Sequence, residues 1–228
     1  MMSLPQAFGL AFSQLGDPAI LRILGKSLGW TFLIFAGLGL LAYLGLDALV
    51  EWLEWSPVSG ATAVLTVIII LLAGWLLFRF VALFVLQFFA SDVVRAVEAK
   101  YYPNEASAAR ELGFREELVN GLQAVLRALA LNLAALPFAI FLLFTGIGTA
   151  LLFWGVNAFL LGRELQDMVW LRHRKDVAET APLAGSNRFL LGGAVAGLLM
   201  LPLINLLAPV LGAASATHLV HRGRAVVA

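Results

Sequence analysis

Long intervals without a charged side chain constrain this chain more than any other feature. Ser27 to Leu46 is 20 residues without a charge, and Trp55 to Phe78 is 24. One helix needs about 20 apolar residues to cross a hydrocarbon core about 30 Å thick. Each interval therefore predicts one full transmembrane helix. Between them lies Asp47 to Glu54, with three acids and no base, and Trp52 and Trp55 at its border read as interface anchors. Composition points the same way. Of 228 residues, 61% are hydrophobic and 13% charged, whereas soluble domains hold about 45–50% and about 25%. A mean hydropathy of +0.93 agrees.

Two further intervals are interrupted. Ala128 to Gly162 spans 35 residues but contains Pro137 and the turn Thr145-Gly146-Ile147-Gly148-Thr149. Two crossings need about 40 residues besides a turn, and removing this turn leaves arms of about 15 residues, near 23 Å. A hairpin that enters and leaves by one face, bounded by Arg127 and Arg163, is expected. Phe189 to Thr217 repeats the arrangement, split by Pro202 to Pro209 and bounded by Arg188 and Arg222. Broken backbone at membrane depth is tolerated only inside protein or beside water, so two such hairpins suggest a polar route. Asn132…Pro137 against Asn205…Pro209 hints at an internal duplication. Between the second span and the first hairpin, the helix is expected to run to Lys100 and break at Tyr101-Tyr102-Pro103-Asn104. A short amphipathic cytoplasmic helix follows, with Leu112, Val119, Leu122 and Leu126 opposite Arg110, Glu111, Arg115 and Glu116.

The predicted architecture is thus a single all-α integral membrane domain over residues 1–228. It has two full transmembrane helices, two re-entrant helical hairpins and the amphipathic helix. All 15 Lys and Arg residues avoid the loop between the first two spans, so the positive-inside rule places both termini and both hairpin openings in the cytoplasm. Met1 to Asp17 lack the basic and apolar regions of a cleavable signal peptide, so the first span is expected to stay.

Several function classes are excluded or disfavoured. A net charge of +1 gives no reason to expect nucleic acid as a partner, and zero cysteines remove disulfides, thiolate nucleophiles and Cys-bound metals. No phosphate-binding glycine loop is present, so the chain does not hydrolyse ATP itself. No Ser-His-Asp set assembles by spacing, and no cofactor is expected. His218 and His221 stand one helical turn apart but without a carboxylate in the local sequence, so no metal site is expected.

The arginines near apolar segments carry the functional reading. Asp17-Pro18-Ala19-Ile20-Leu21-Arg22 reads as a helix start, with Asp17 as N-cap and Pro18 at the first helical position. Free N–H groups with a guanidinium one turn along favour an anion. The plain alternative is that Arg22 and Lys26 are positive flanks on lipid headgroups. Arg79 interrupts an apolar run, either as an intramembrane functional residue or as one that snorkels to the interface. Asn205, between two prolines, either satisfies loose backbone or lines a pore. Glu164, Asp167 and His173 are candidates for proton coupling. The cluster Arg172-His173-Arg174-Lys175 is expected to be a solvated face.

At the last hairpin, Leu201-Pro202-Leu203-Ile204-Asn205-Leu206-Leu207-Ala208-Pro209-Val210 and then Ala214-Ser215-Ala216-Thr217 resemble the C-terminal signature of the bacterial CysZ sulfate permeases. That signature reads approximately I-P-L-x-N-L, a proline-valine pair and a G-A-T ending, whose glycine is Ser215 here. Gly146-Ile147-Gly148, Asn157 to Leu161, Asp167 and His173 match upstream elements. Pro18…Leu21-Arg22 is similar to the family's P-G-[IL]-R-R element. The superfamily also holds the etoposide-induced autophagy membrane proteins.

The resemblance implies sulfate uptake across the bacterial inner membrane, feeding cysteine synthesis, by homo-oligomers with partly penetrating hairpins. It implies Arg22, at the helix start, as the sulfate-contacting residue, to which Leu21, Arg79 and Asn205 are added as expected contacts along an anion channel. The expected partners are sulfate or a related oxyanion, the lipid bilayer and further copies of the chain. The alternative function is a non-transporting membrane scaffold or partner-docking protein.

Overall fold

A computed structural model of the chain describes residues 2–52, 74, 81, 85, 89–176, 179–201 and 204–227. The described residues are helical with short turns, and no strand occurs among them. Two compact units divide the chain: Met1–Ile20 with Ala90–Ala228, and Leu21–Phe89. The second expected span, Trp55 to Phe78, lies outside the described residues apart from Gly74, and so does Arg79.

In the first unit, α1 (Leu4–Gln14) starts where Ser3 N–H donates to Gln6 Oε1 at 3.1 Å, half of a capping box. Pro5 sits in the first turn, where a missing N–H costs no helical bond. Ala7, Ala11 and Gln14 form one buried face, and α1 packs on α8 (Ala208–Val227). The α2 helix (Pro18–Trp52) begins at Pro18, as the Asp17-Pro18 pair predicts. It crosses the boundary between the units. Helix α3 (89–101) ends at Tyr101, at the expected break, and α4 (Pro103–Ala108) starts on the proline.

The stretch after α4 departs from expectation. Instead of a short amphipathic helix and then a separate hairpin arm, α5 runs unbroken over Phe114–Leu142, with Pro137 inside it. Its 29 residues extend about 43 Å, well beyond the 23 Å arm expected. The reason is local: no proline stands between Phe114 and Leu136, and the charged turns are good helix formers. Val119, Leu122 and Leu126 are exposed, so the chain itself does not cover that apolar face. By length and composition, Pro18–Leu41 and Phe114–Thr145 are the two described helical stretches able to cross a membrane. The first matches an expected span and the second does not.

The hairpin turn itself falls where the glycines predict. A 3-10 turn (Leu143–Thr145) leads into Gly146 at φ +77°, a left-handed backbone that favours glycine. The Thr145 hydroxyl donates to Leu142 O at 2.7 Å and accepts from Gly148 N–H at 2.9 Å, closing the tip. From there α6 (Gly148–Trp170) returns against α5.

The most extensive helix contact is between α6 and α7 (Gly185–Met200). It exists because glycines face it. A methyl at Gly162 would meet the Arg188 carbonyl, and one at Gly192 would meet the Ala158 carbonyl and the Gly162 backbone. Small residues let helix backbones approach this closely where lipid supplies no hydrophobic drive. Trp154 lies over Gly193 and donates its Nε1–H to the Gly193 carbonyl at 3.2 Å.

After a 3-10 turn (Ile204–Leu206), α8 runs through the middle of the unit, every residue from Ala208 to His221 buried. It touches α1, α6 and α7, helped by the small run Gly212 to Ala216. The proposed echo between Asn132 and Asn205 does not hold in space. Asn132 lies within α5 and donates to Ala128 O, whereas Asn205 sits at the turn between α7 and α8.

In the second unit, α2 presents Leu28, Trp30, Phe32, Leu33, Leu40 and Leu41 outward. Along α5 the outward residues include Phe138, Phe141 and, at the tip, Phe144 at 92% exposure. Large apolar side chains are exposed along both candidate spans, as a lipid-facing surface requires.

Candidate functional site

Helix α3 carries a buried stripe of Ala90, Val93, Val94 and Val97, and the next residue on that face is Glu98, at 0% exposure. A buried carboxylate needs partners, and three converge on it. His173 Nε2 donates to Glu98 Oε1 at 2.7 Å and His221 Nε2 to the same oxygen at 3.1 Å. Arg172 Nη1 donates to Oε2 at 2.8 Å. The partners come from the turn after α6 and from α8, so one carboxylate ties three segments together. Burial alone would raise the Glu98 pKa, but the two histidine hydrogen bonds and the Arg172 charge outweigh it and hold the carboxyl at about 2.

The polar cluster continues through aromatic rings. Tyr102 stacks on His221 with centroids 4.7 Å apart, and its hydroxyl meets His218 Nδ1 at 2.8 Å. His218 Nε2 lies 2.7 Å from the Gln14 amide nitrogen. With that amide donating, His218 carries its single proton on Nδ1 and donates to the Tyr102 oxygen. A second proton would have to sit against the Gln14 amide. Burial first, and then the Arg222 and His221 charges, push the His218 pKa down to about 4.

His218 lies outside both candidate spans, and its titration has a readable consequence. Its folded pKa is depressed from 6.5 to about 4, so the unfolded chain takes up the proton first. Stability is full above pH 6.5 and falls as pH drops toward 4, by about 3 kcal/mol at the acid end. Thermal unfolding midpoints measured across that window should show this loss, and His218→Gln should flatten it. An unchanged slope in the variant would assign the loss elsewhere.

Two cavities flank Arg172 and Arg174. The first, about 650 Å³, is lined by Arg110, Arg172, His173, Arg174, Lys175 and His221 among others, with Glu105 and Glu179 as its acids. The second, about 590 Å³, is lined by Arg95, Arg127, Arg163, Arg172, Arg174 and Arg188, with Glu111, Glu117, Glu164, Asp167 and Glu179 as its acids. Its polar wall is incompletely bonded: Asn120 Nδ2 and Gln166 Oε1 are buried without a hydrogen-bond partner, and Arg163 Nε has only the longer ion pair to Asp167 at 3.5 Å. Two of these three are donors. Arg95 and Arg188 make no ion pair among the described residues, Arg188 lying instead over the Phe159 ring. Such a wall suits a polyanion with several acceptor oxygens.

The expected site residues scatter. Leu21 and Arg22 are exposed on the first turns of α2, in the second unit. The Asp17 carboxylate before them accepts from Lys100 Nζ at 2.6 Å and Tyr101 hydroxyl at 3.3 Å. Asn205 is buried in the 3-10 turn. Asp167 pairs with Arg163 at 3.5 Å, and both line the second cavity with Glu164. Burial raises the Glu164 carboxyl above its ordinary value, with Arg127 opposing and Asp167 adding to the rise.

His173 is one of the Glu98 ligands, not part of a solvated face. Arg172 is also paired inward, to the buried Glu98, whereas Arg174 pairs with Glu116 nearer the surface and Lys175 is exposed. The sequence reading missed Glu98, Tyr102 and Gln14, and placed Arg172 on a solvated face and His221 beside His218 without their buried partner. The signal for Glu98 was its place on an otherwise apolar helix face. His218 and His221 do not share a ligand; each turns to a different partner.

A family model described as sulfate transporter CysZ/etoposide-induced protein 2.4 matches residues 7–209 of this chain. The chain belongs to that family. Neither a curated protein nor a solved structure matches it. Membership in the CysZ/etoposide-induced protein 2.4 family, with two apolar helices long enough to cross, makes this a membrane protein of the sulfate-transporter type. The family description names a transporter, not an enzyme. The match takes in α2, the Glu98 centre up to His173 and both hairpins as far as Pro209. His218 and His221 lie beyond it.

Proposed function

We propose that this member of the CysZ/etoposide-induced protein 2.4 family is a sulfate permease, or one for a similar inorganic oxyanion, of a bacterial inner membrane. In this reading it supplies sulfate for cysteine synthesis, works as a homo-oligomer and does not hydrolyse ATP. The α5–α6 and α7–α8 hairpins enter the bilayer part-way, the charge-free C-terminal half of α5 inserting and its charged N-terminal turns staying outside, with termini and openings cytoplasmic. The observation that carries the reading is the second cavity. Six arginines line it, two of them (Arg95 and Arg188) without an ion pair among the described residues, and the buried Asn120 Nδ2 donor beside them has no hydrogen-bond partner, which suits an anion that brings its own acceptors. A tetrahedral dianion has acceptors on every side.

Leu21 and Arg22 on the first turns of α2 are a separate contact for the same anion. Arg79 and Asn205 belong to the proposed route as well. Inward movement of a dianion against 100 mV is opposed by about 4–5 kcal/mol. Downstream consumption of sulfate offsets this in a passive channel. Proton coupling through Glu164, Asp167 or His173 is the other way to meet it.

The test is labelled-sulfate uptake into sealed liposomes holding the purified protein, against empty liposomes. Uptake above the empty control is expected. Arg22→Ala and Arg127→Ala should each weaken sulfate binding about tenfold, the size of one charge-assisted hydrogen bond. Unchanged binding in either variant removes that residue from the site. Uptake equal to the control, with folded protein in the bilayer, leaves the scaffold reading in its place.

A further inference from the structure

We propose that Glu98, His173 and His221 form a binding site for a divalent transition-metal ion, best suited to zinc. The three ligand atoms, Glu98 Oε1 and the two histidine Nε2 atoms, all lie within 4.8 Å of one another and all three residues are buried. Each comes from a different segment, so the geometry is set by the tertiary fold and not by a flexible loop.

The donor set decides the class of ion. Two imidazoles and one carboxylate match the nitrogen and oxygen ligands that zinc takes at about 2.0–2.2 Å. They do not supply the six or more oxygens that calcium or magnesium requires. A tetrahedral ion with such bonds separates its ligands by about 3.3 Å. The present Oε1–Nε2 distances of 2.7 and 3.1 Å are near that value. A small outward shift of the ligands therefore seats the ion. Each ring then gives up its Nε2–H bond to Glu98 and carries its proton on Nδ1.

Two surrounding features fit a metal centre. Arg172 holds the other carboxylate oxygen at 2.8 Å, which fixes the Glu98 rotamer as an outer-shell partner does. His173 and His221 also line the first cavity, which gives the ion an access path and leaves a fourth position open to water or an anion. Three protein ligands with one open position is the arrangement of zinc sites that bind a further group. A dication added beside Arg172 leaves net positive charge there. Hydroxide or another anion in the open position offsets part of it.

The inference does not depend on the anion permease reading, and its test reads metal alone. Full-length protein in detergent, stripped with a chelator, is titrated with Co²⁺ as the spectroscopic probe and then competed with Zn²⁺. One equivalent of Co²⁺ with visible ligand-field absorption is expected, displaced by Zn²⁺. His173→Ala and His221→Ala should each weaken binding at least a hundredfold, whereas His218→Gln, outside the ligand set, should bind as the parent does. Circular dichroism confirms that each variant is helical. Should the alanine variants fail to fold, the parent protein decides the matter: Zn²⁺ should raise its unfolding temperature, reversibly with chelator. No stoichiometric uptake and no such rise in the folded parent, or equal uptake in folded histidine variants, would leave a hydrogen-bonded hub in place of a metal site.

Discussion

Glu98→Ala should destabilise the protein by about 3–5 kcal/mol, the cost of breaking a buried charge pair by removing one partner. The change leaves Arg172 without its carboxylate and strips His173 and His221 of their shared acceptor. A part-buried cation with no counter-charge, together with two buried imidazoles left without their acceptor, is what makes the loss large. In a chain of this length that loss corresponds to a fall of about 6–20 °C in the unfolding midpoint. Measurement in detergent with chelator present separates this effect from any bound metal. Glu98→Gln keeps the shape and one acceptor, so its loss should be smaller. Equal midpoints for Glu98→Ala and the parent would mean that the three segments are held by apolar packing alone.

An equally large loss is expected from Gly192→Leu. Helices α6 and α7 touch backbone to backbone there: even a methyl meets the Ala158 carbonyl and the Gly162 chain. A leucine must push the helices apart, and the contact between them is the most extensive in the unit. Overpacking by one methylene costs about 1–3 kcal/mol in a core able to adjust. Here the obstacle is backbone, which does not rotate away, so we expect either no folded protein or a loss above about 4 kcal/mol. Gly197→Ala on the same helix is the control, since nothing lies within 4 Å of its added methyl. That variant should be neutral or gain up to about 1 kcal/mol from helix propensity. Fluorescence-detected gel filtration across a temperature ramp ranks the three proteins.

Both effects sit in features that the sequence shows only in part. The helix reaching Lys100 from residue 89, the break at Tyr101-Tyr102 and the start of α2 at Pro18 were legible because each depends on neighbours in sequence. The tip at Gly146 was legible for the same reason: a positive φ marks glycine locally. The length of α5 was misjudged because a charge boundary at Arg127 was taken as a structural boundary. Helix continuity depends on backbone breakers, and Arg127 is not one. The inward pairing of Arg172 and His173 was not legible because a run of basic residues looks solvated until an acid from elsewhere is placed beside it.

The sequence by itself determined the solvent and the secondary structure. Charge-free intervals long enough for a bilayer leave an all-helical membrane chain as the workable answer, since in lipid every backbone group must be bonded internally. Glycines and prolines then placed the turns. Tertiary structure alone decided which polar groups meet. Glu98 finds partners 75 and 123 residues away, Gln14 meets His218 across 204, and Gly162 faces Gly192 because α6 and α7 cross there. No local pattern encodes those meetings. They follow from how the helices pack, and a buried charge or a bare glycine backbone acquires its role only once that packing supplies the other side.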